Sequence, residues 1–326
     1  RGGNRRLETG NEACLSFRMP AFSVSKSIEI NAPRERVYEV VRDFQTWPTW
    51  SPWLIAEPGC KVVYAEDGKS YDWEGTIVGA GEMSIAEEKS PDFIHYNLAF
   101  RKPWNSEADV KISFREAGEG KTEVTWGMDS KLPIFLFFMK GMMTAMIGMD
   151  YQRGLNMLKD LIETGSVPSR LDFKTGEVKG FDYVGIRSTC SIPEIGPSME
   201  ADMVKLGDWL KNSGEEAVGP PFAIYHKWDI AKGRAAYTIG FPVTDRLAEP
   251  GEGFVSNSIP DVRTYTVTHT GPYRHLGNAW SAGMAHQQAK VFAKSKTVEP
   301  FEIYENDPTL VDEKELITSV HFPLKA

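Results

Sequence analysis

Cysteine is scarce in this sequence: 326 residues contain three, Cys14, Cys60 and Cys190. They form no CxxC pair and no even-numbered set, which removes a disulfide framework and a cysteine-based metal knuckle. Histidine is nearly as sparse. The six, His95, His226, His269, His275, His286 and His321, fit no HExxH pattern and pair with no cysteine at ligand spacing, so neither a metal nor a cofactor is expected. Motifs of nucleophilic catalysis are missing too: there is no GxSxG elbow, Walker loop or Cys/His dyad motif. Gly79-Ala80-Gly81 opens like a dinucleotide fingerprint but lacks the third glycine and a following helix. Positive charge is in deficit, with 37 basic against 45 acidic residues and a net charge of −8. Without long Lys/Arg runs the chain has no electrostatic footprint for a phosphate backbone, and nucleic acid is not an expected partner.

What is present is an ordinary globular composition, 41% apolar and 25% charged, in a chain about twice a typical domain length of ~150 residues. Two domains are expected, each with its own core. Residues 1–20 are polar and aperiodic, with the first methionine at Met19, and are read as a disordered leader. The cytoplasm is the favoured location, with an upstream anchor or signal left open. The longest apolar run, Leu132 to Met149, reaches 18 residues, against about 20 for a membrane-spanning helix. Lys140, Pro133 and two glycines point instead to a buried or cavity-lining helix, with membrane contact as the rival reading.

Residues 21–165 read as one α+β unit. Alternation from Phe22 to Ile30 predicts a strand; Asn31 as cap, Pro33 in the first turn, and Val37, Val40, Val41 and Phe44 predict a helix. Alternating runs follow at 60–64, 71–77, 83–87 and 94–100, then a hairpin of 110–114 and 124–128 with Gly118 and Gly120 at its turn. A closing helix carries Leu155, Leu158, Leu161 and Ile162 and stops at Gly165. Tryptophans and methionines concentrate here. Trp73, Trp126, Met142 and Met146 are expected to line an adaptable apolar pocket. The Ser27-Ile28-Glu29-Ile30-Asn31-Ala32-Pro33 start, the Thr46-to-Trp53 segment and Tyr71-Asp72-Trp73-Glu74-Gly75 resemble the polyketide cyclase/dehydrase branch of the SRPBCC (START-like) superfamily. That resemblance, from Phe22 to about Thr164, implies a helix-grip fold, a curved antiparallel sheet around a long C-terminal helix and a deep apolar cavity.

Residues 166–178 mix proline, serine and glycine and read as a linker that can hold a small hairpin. Beyond it, within residues 179–326, the chain repeats itself. Phe222-Ala223-Ile224-Tyr225 recurs as Phe301-Glu302-Ile303-Tyr304, and Gly240-Phe241-Pro242-Val243 as His321-Phe322-Pro323-Leu324. Ahead of each copy lie a strand, containing Tyr183 or Tyr265, and a helix. The expectation is a pseudo-twofold domain of two strand-helix-strand-strand repeats whose two sheets and two helices enclose a cleft. Alternation puts Glu302 and Tyr304 on one face, where the first repeat carries Ala223 and Tyr225. Tyr273, Trp280 and Tyr183 are the further candidates for lining it.

His269-Thr270-Gly271-Pro272-Tyr273-Arg274-His275-Leu276 with Ala279-Trp280, and Phe301-Glu302-Ile303-Tyr304-Glu305-Asn306-Asp307-Pro308, resemble the GyrI-like domains that serve as effector-binding modules of AraC-type and MerR-type activators. The resemblance covers about Gly176 to the C-terminus. It implies an aromatic cleft with a glutamate at the position of Glu302 that meets cationic, drug-like ligands; some members hydrolyse strained cyclopropane-bearing compounds. The expected function is a small-molecule carrier or sensor, with a hydrolase using Glu302 as the alternative.

Overall fold

The computed structural model describes residues 21–131 and 138–325. The expected leader and the first part of the long apolar run lie outside them. Among the described residues no helix is long and apolar enough to cross a membrane.

The N-terminal half is a seven-stranded antiparallel sheet in the order β1-β7-β6-β5-β4-β3-β2, from β1 (Ala21–Ile30) and β2 (Lys61–Tyr64) to β3 (Ser70–Glu74), β4 (Ala80–Lys89), β5 (Phe93–Lys102), β6 (Ser106–Gly118) and β7 (Lys121–Lys131). After β1 the chain crosses over through α1 (Arg34–Arg42) and the short α2 (Trp47–Trp50). Pro33, not Asn31, is the residue that leads into α1, and Phe44 belongs to a separate 3₁₀ turn. The long helix α3 (Lys140–Thr164) packs on the sheet and ends at Gly165, whose φ of +83° suits a residue without a side chain. Gly154 lets α3 approach closely: a Cβ there would stand 2.8 Å from the Trp126 ring and 3.0 Å from Pro52. Trp126 stacks on Tyr151 at 4.3 Å and meets Trp47, Trp50 and Trp53 edge-on at 5.5–5.9 Å. Rings packed this way fill the space between sheet and helix.

The C-terminal half is α+β as well, but its strands form one sheet where two were expected. Eight strands run in the order β12-β9-β11-β10-β14-β15-β13-β8: β8 (Arg170–Val178), β9 (Phe181–Ser191), β10 (Phe222–Asp229), β11 (Arg234–Val243), β12 (Val255–Ile259), β13 (Val262–Thr270), β14 (Phe301–Tyr304) and β15 (Ile317–Pro323). The reason is the pairing of β10 with β14, which fuses the repeats through Phe222↔Ile303, Ala223↔Glu302 and Ile224↔Phe301. Each repeat is strand, helix, strand, strand, β9-α4-β10-β11 with α4 (Ile195–Ser213) and β13-α5-β14-β15 with α5 (Gly277–Gln288), and one further strand, β8 or β12, precedes each. Most of the stretch read as a linker, from Arg170, is strand β8, paired along its length with β13.

The sheet curls. β8 lies at one edge and β9 beside the other, yet only Lys179 and Gly180 separate them in sequence, a span of at most about 11 Å between flanking Cα atoms. Tyr183, Phe222, Ile224 and Phe301 cluster on one face; Ala223, Tyr225 and Tyr304 lie on the face that α4 covers. The two domains meet where α3 packs on the 3₁₀ turns Ile230–Lys232 and Tyr273–His275 and where the 3₁₀ turn Leu54–Ala56 packs against α5.

Candidate functional site

The repeat axis passes through one cross-strand pair. With an offset of 79 residues, Ala223 is the sister of Glu302, and the two are also register partners. Opposed residues of an antiparallel pair hold their Cβ atoms roughly 4.5–5.5 Å apart, so two carboxylates here would repel, and the methyl of Ala223 leaves room for one.

Glu302 is 1% exposed. Its Oε1 accepts from the hydroxyls of Tyr225 at 2.8 Å and Tyr304 at 2.6 Å, and its Oε2 from the indole Nε1 of Trp280 at 2.8 Å. All three partners are neutral, and the indole can only donate. Burial pushes the Glu302 carboxyl above its usual range, while the three donors pull it back. Burial, together with the neighbouring carboxylate, raises the Tyr225 and Tyr304 hydroxyls well above the ordinary phenol.

Around this group the aromatic rings form a cage. Tyr225 meets Trp280 edge-on at 4.8 Å, and Tyr273, in the 3₁₀ turn before α5, meets Tyr304 at 5.7 Å. Tyr273 is 40% exposed, in contrast to the buried Glu302. Of the expected cleft residues, Glu302, Tyr304, Tyr273, Trp280 and Tyr225 are thus brought together. Tyr183 is not: it packs on Phe222 at 5.0 Å, on the other face. Matching Tyr183 with Tyr265 implies an offset of 82, whereas Phe241 and Phe322 repeat at 81, and a one-residue slip turns a strand side chain to the opposite face.

Two residues of the cage carry no motif. Met199 of α4 offers its Sδ to the Tyr225 hydroxyl at 3.7 Å. Trp228, three residues after Tyr225, lies against it at 5.9 Å because a bulge between Tyr225 and Lys227 restores the facing that alternation alone denies. A bulge leaves no simple sequence signal.

The residues expected to line a first-domain pocket are dispersed. Trp126 lies within the packed rings under α3, and Trp73 meets Tyr71 and Phe100, each at 5.8 Å. Met142 and Met146 are 38% and 39% exposed on the outer side of α3, while Met143 and Ile147 turn to the core. The helical period explains the correction: positions one residue apart sit about 100° around the axis. Among the described residues no three His, Cys, Asp or Glu side chains gather as a metal site.

Two family profiles match the chain. That of the polyketide cyclase/dehydrase and lipid transport family covers residues 21–163, and that of the GyrI-like small molecule binding domain covers 173–325. The chain joins a domain of each family. The second profile is described as a small molecule binding domain, and small-molecule binding in general is the class of function it supports for residues 173–325. None of the curated proteins compared with this sequence matches it. Similar solved structures include the EcmrR C-terminal domain (21% identity, 48% of this chain and 98% of that one, TM-score 0.38). SAV2435 bound to tetraphenylphosphonium is 14% identical over 48% of this chain and 94% of that one, with a TM-score of 0.38. A START superfamily protein from Mycobacterium smegmatis is 20% identical over 44% and 99%, with a TM-score of 0.33.

Proposed function

We propose that the GyrI-like domain binds an aromatic organic cation, with Glu302 as its counter-charge, and that the protein acts as a carrier or sensor of such molecules. The observation that carries this reading is a carboxylate 1% exposed whose hydrogen-bond partners are all neutral. A buried charge is costly unless paired, and a ligand cation between Tyr225, Trp280, Tyr273 and Tyr304 supplies the pair while meeting the negative faces of the rings. Hydrolysis is less well supported. Its proton donor would be Tyr304 or Tyr273, and both hydroxyls are raised above the ordinary phenol, away from the neutral range in which a general acid works best.

Calorimetric titration tests the reading with tetraphenylphosphonium, a permanent cation bearing four phenyl rings, and neutral triphenylphosphine oxide. The wild type is expected to prefer the cation by tenfold or more, about 1.4 kcal/mol, and Glu302→Gln to lose that preference. Equal affinity for both probes in the wild type, or no binding of the cation, overturns it.

A further inference from the structure

One wall of the cleft is gripped from behind by the other domain. Tyr273 and Trp280 face Glu302, but the polar residues among and just after them bond into α3. Arg274 Nε and Nη2 donate to Asp160 Oδ2 at 3.1 and 2.9 Å, and His275 Nε2 reaches the same oxygen at 2.7 Å. Two turns earlier on α3, Arg153 Nη1 donates to Asn278 Oδ1 and Nη2 to Ser281 Oγ, each at 2.8 Å, with Asp150 steadying the guanidinium at 2.7 Å. Asn278 Nδ2 also reaches Met157 Sδ at 3.3 Å. Arg153, Met157 and Asp160 fall at i, i+4, i+7, so one stripe of α3 faces this wall. At the far end of α5, His286 Nε2 bonds the carbonyl of Ala56 at 2.8 Å, again across the domain boundary.

The Asp160 and His275 ends of these contacts are shielded from solvent, whereas Arg274 is exposed and also donates from Nη1 to Glu313 Oε2 at 2.8 Å. Removing one partner of a buried charged pair leaves the other unsatisfied, which is far costlier than losing a surface bridge. Among the described residues the sister helix α4 shows no such bonds to the other domain. Its buried Asp202 accepts from Ser188 at 2.6 Å and Tyr237 at 2.8 Å, both of its own domain.

We propose that Asp160 and Arg153 of the START-like domain are positioning residues for the GyrI-like cleft, so that occupancy of the cleft and docking of the two domains are linked equilibria. The claim rests on the cation-binding reading for its ligand and on the α3 contacts for its mechanism. A ligand that needs Tyr273 and Trp280 in place binds the docked arrangement better, and by reciprocity it strengthens docking by the same factor.

The test uses the full chain. Tetraphenylphosphonium is titrated into the wild type, Asp160→Asn and Glu302→Gln, and amide hydrogen exchange is followed with and without the probe. The expected result is a five- to tenfold weaker affinity in Asp160→Asn. In the wild type, the probe slows exchange in residues 150–162 of α3 as well as in 273–288, and Glu302→Gln loses both effects. Wild-type affinity in Asp160→Asn, or protection confined to 273–288, overturns the linkage while leaving the cation reading intact. If the wild type ignores tetraphenylphosphonium, the cation reading falls. Positioning is then judged on ligand-free exchange of 273–281, where a tenfold acceleration in Asp160→Asn sustains it and unchanged rates sink it. Should Asp160→Asn not fold, Arg153→Lys, which keeps the charge and loses the two-pronged reach, takes its place in every arm.

Discussion

Helices α4 and α5 occupy equivalent places in the two repeats, yet they are held in different ways. Helix α5 buries Asn278, Ala279, Ala282, Gly283 and His286 between the curled sheet and the N-terminal domain. Helix α4, 19 residues long against 12, buries only Asp202 and Leu206. Length and local propensity do not decide how firmly a helix is fixed; the number of faces it packs does. The cleft therefore has a wall fastened on both sides opposite one fastened on a single side, and local opening is expected to draw on the less buried of the two.

Making the repeats alike at their axis is the severest disturbance. Ala223→Glu would set a second carboxylate directly opposite Glu302 in a site without a cation, and a loss of roughly 3–5 kcal/mol is expected in urea unfolding at pH 7. Ala223→Gln, of nearly the same size as the glutamate and without its charge, separates repulsion from crowding: it should cost less than the glutamate.

Acid should weaken the second repeat before the first. Burial, helped by the nearby charge of His275, brings His269 down to about 4, and burial with Lys174 does the same for His321. Both folded values lie below the ordinary 6.5, so between pH 6.5 and 4 the unfolded chain holds more protons. Stability from these residues is complete above about pH 6.5 and declines as the pH falls toward 4, by roughly 1.4 kcal/mol per histidine per pH unit. His269→Gln with His321→Gln should flatten the melting temperature across pH 7 to 5; an unchanged slope would show that other groups control it.

Unfastening α4 is a smaller step. Asp202→Ala leaves the Ser188 hydroxyl without this acceptor and Tyr237 with Ser198 of α4 as its remaining partner there, and should cost about 1–3 kcal/mol. Hydrogen exchange in 195–213 is expected to accelerate while 277–288 stays protected; equal acceleration of both helices would erase the contrast between them.

The mildest change is Trp228→Ala. At 41% exposure this ring shapes the mouth of the cage, so tetraphenylphosphonium affinity should fall two- to fivefold with stability unchanged within about 0.5 kcal/mol.

Much of the architecture was legible before any coordinates, because it rests on short-range rules. Backbone pleating alone sets Glu302 and Tyr304 on one face and Phe301 and Ile303 on the other. Glycines at 118 and 120 fall where φ is positive, at +137° and +68°, and the stripe of Leu155 and Leu158 follows the helical period. The recurrence of Phe222–Tyr225 as Phe301–Tyr304 marked the two repeats. Where the local period is broken or ambiguous, reading along the chain failed: a bulge brought Trp228 in, and a one-residue slip in the repeat alignment sent Tyr183 to the wrong face.

The sequence by itself determined which residues share a face within an unbroken strand, that the closing helix of the first half stops at Gly165, and that the second half is built twice. Only the tertiary structure decided that β10 pairs with β14 to merge two expected sheets into one, that the Trp280 indole bonds Glu302, 22 residues further on, and that Asp160 and His275 meet across 115 residues of chain. Alternation and helical periodicity come from backbone geometry that each residue shares with its neighbours. A contact between distant segments is set by how whole elements pack, and no local pattern carries that information.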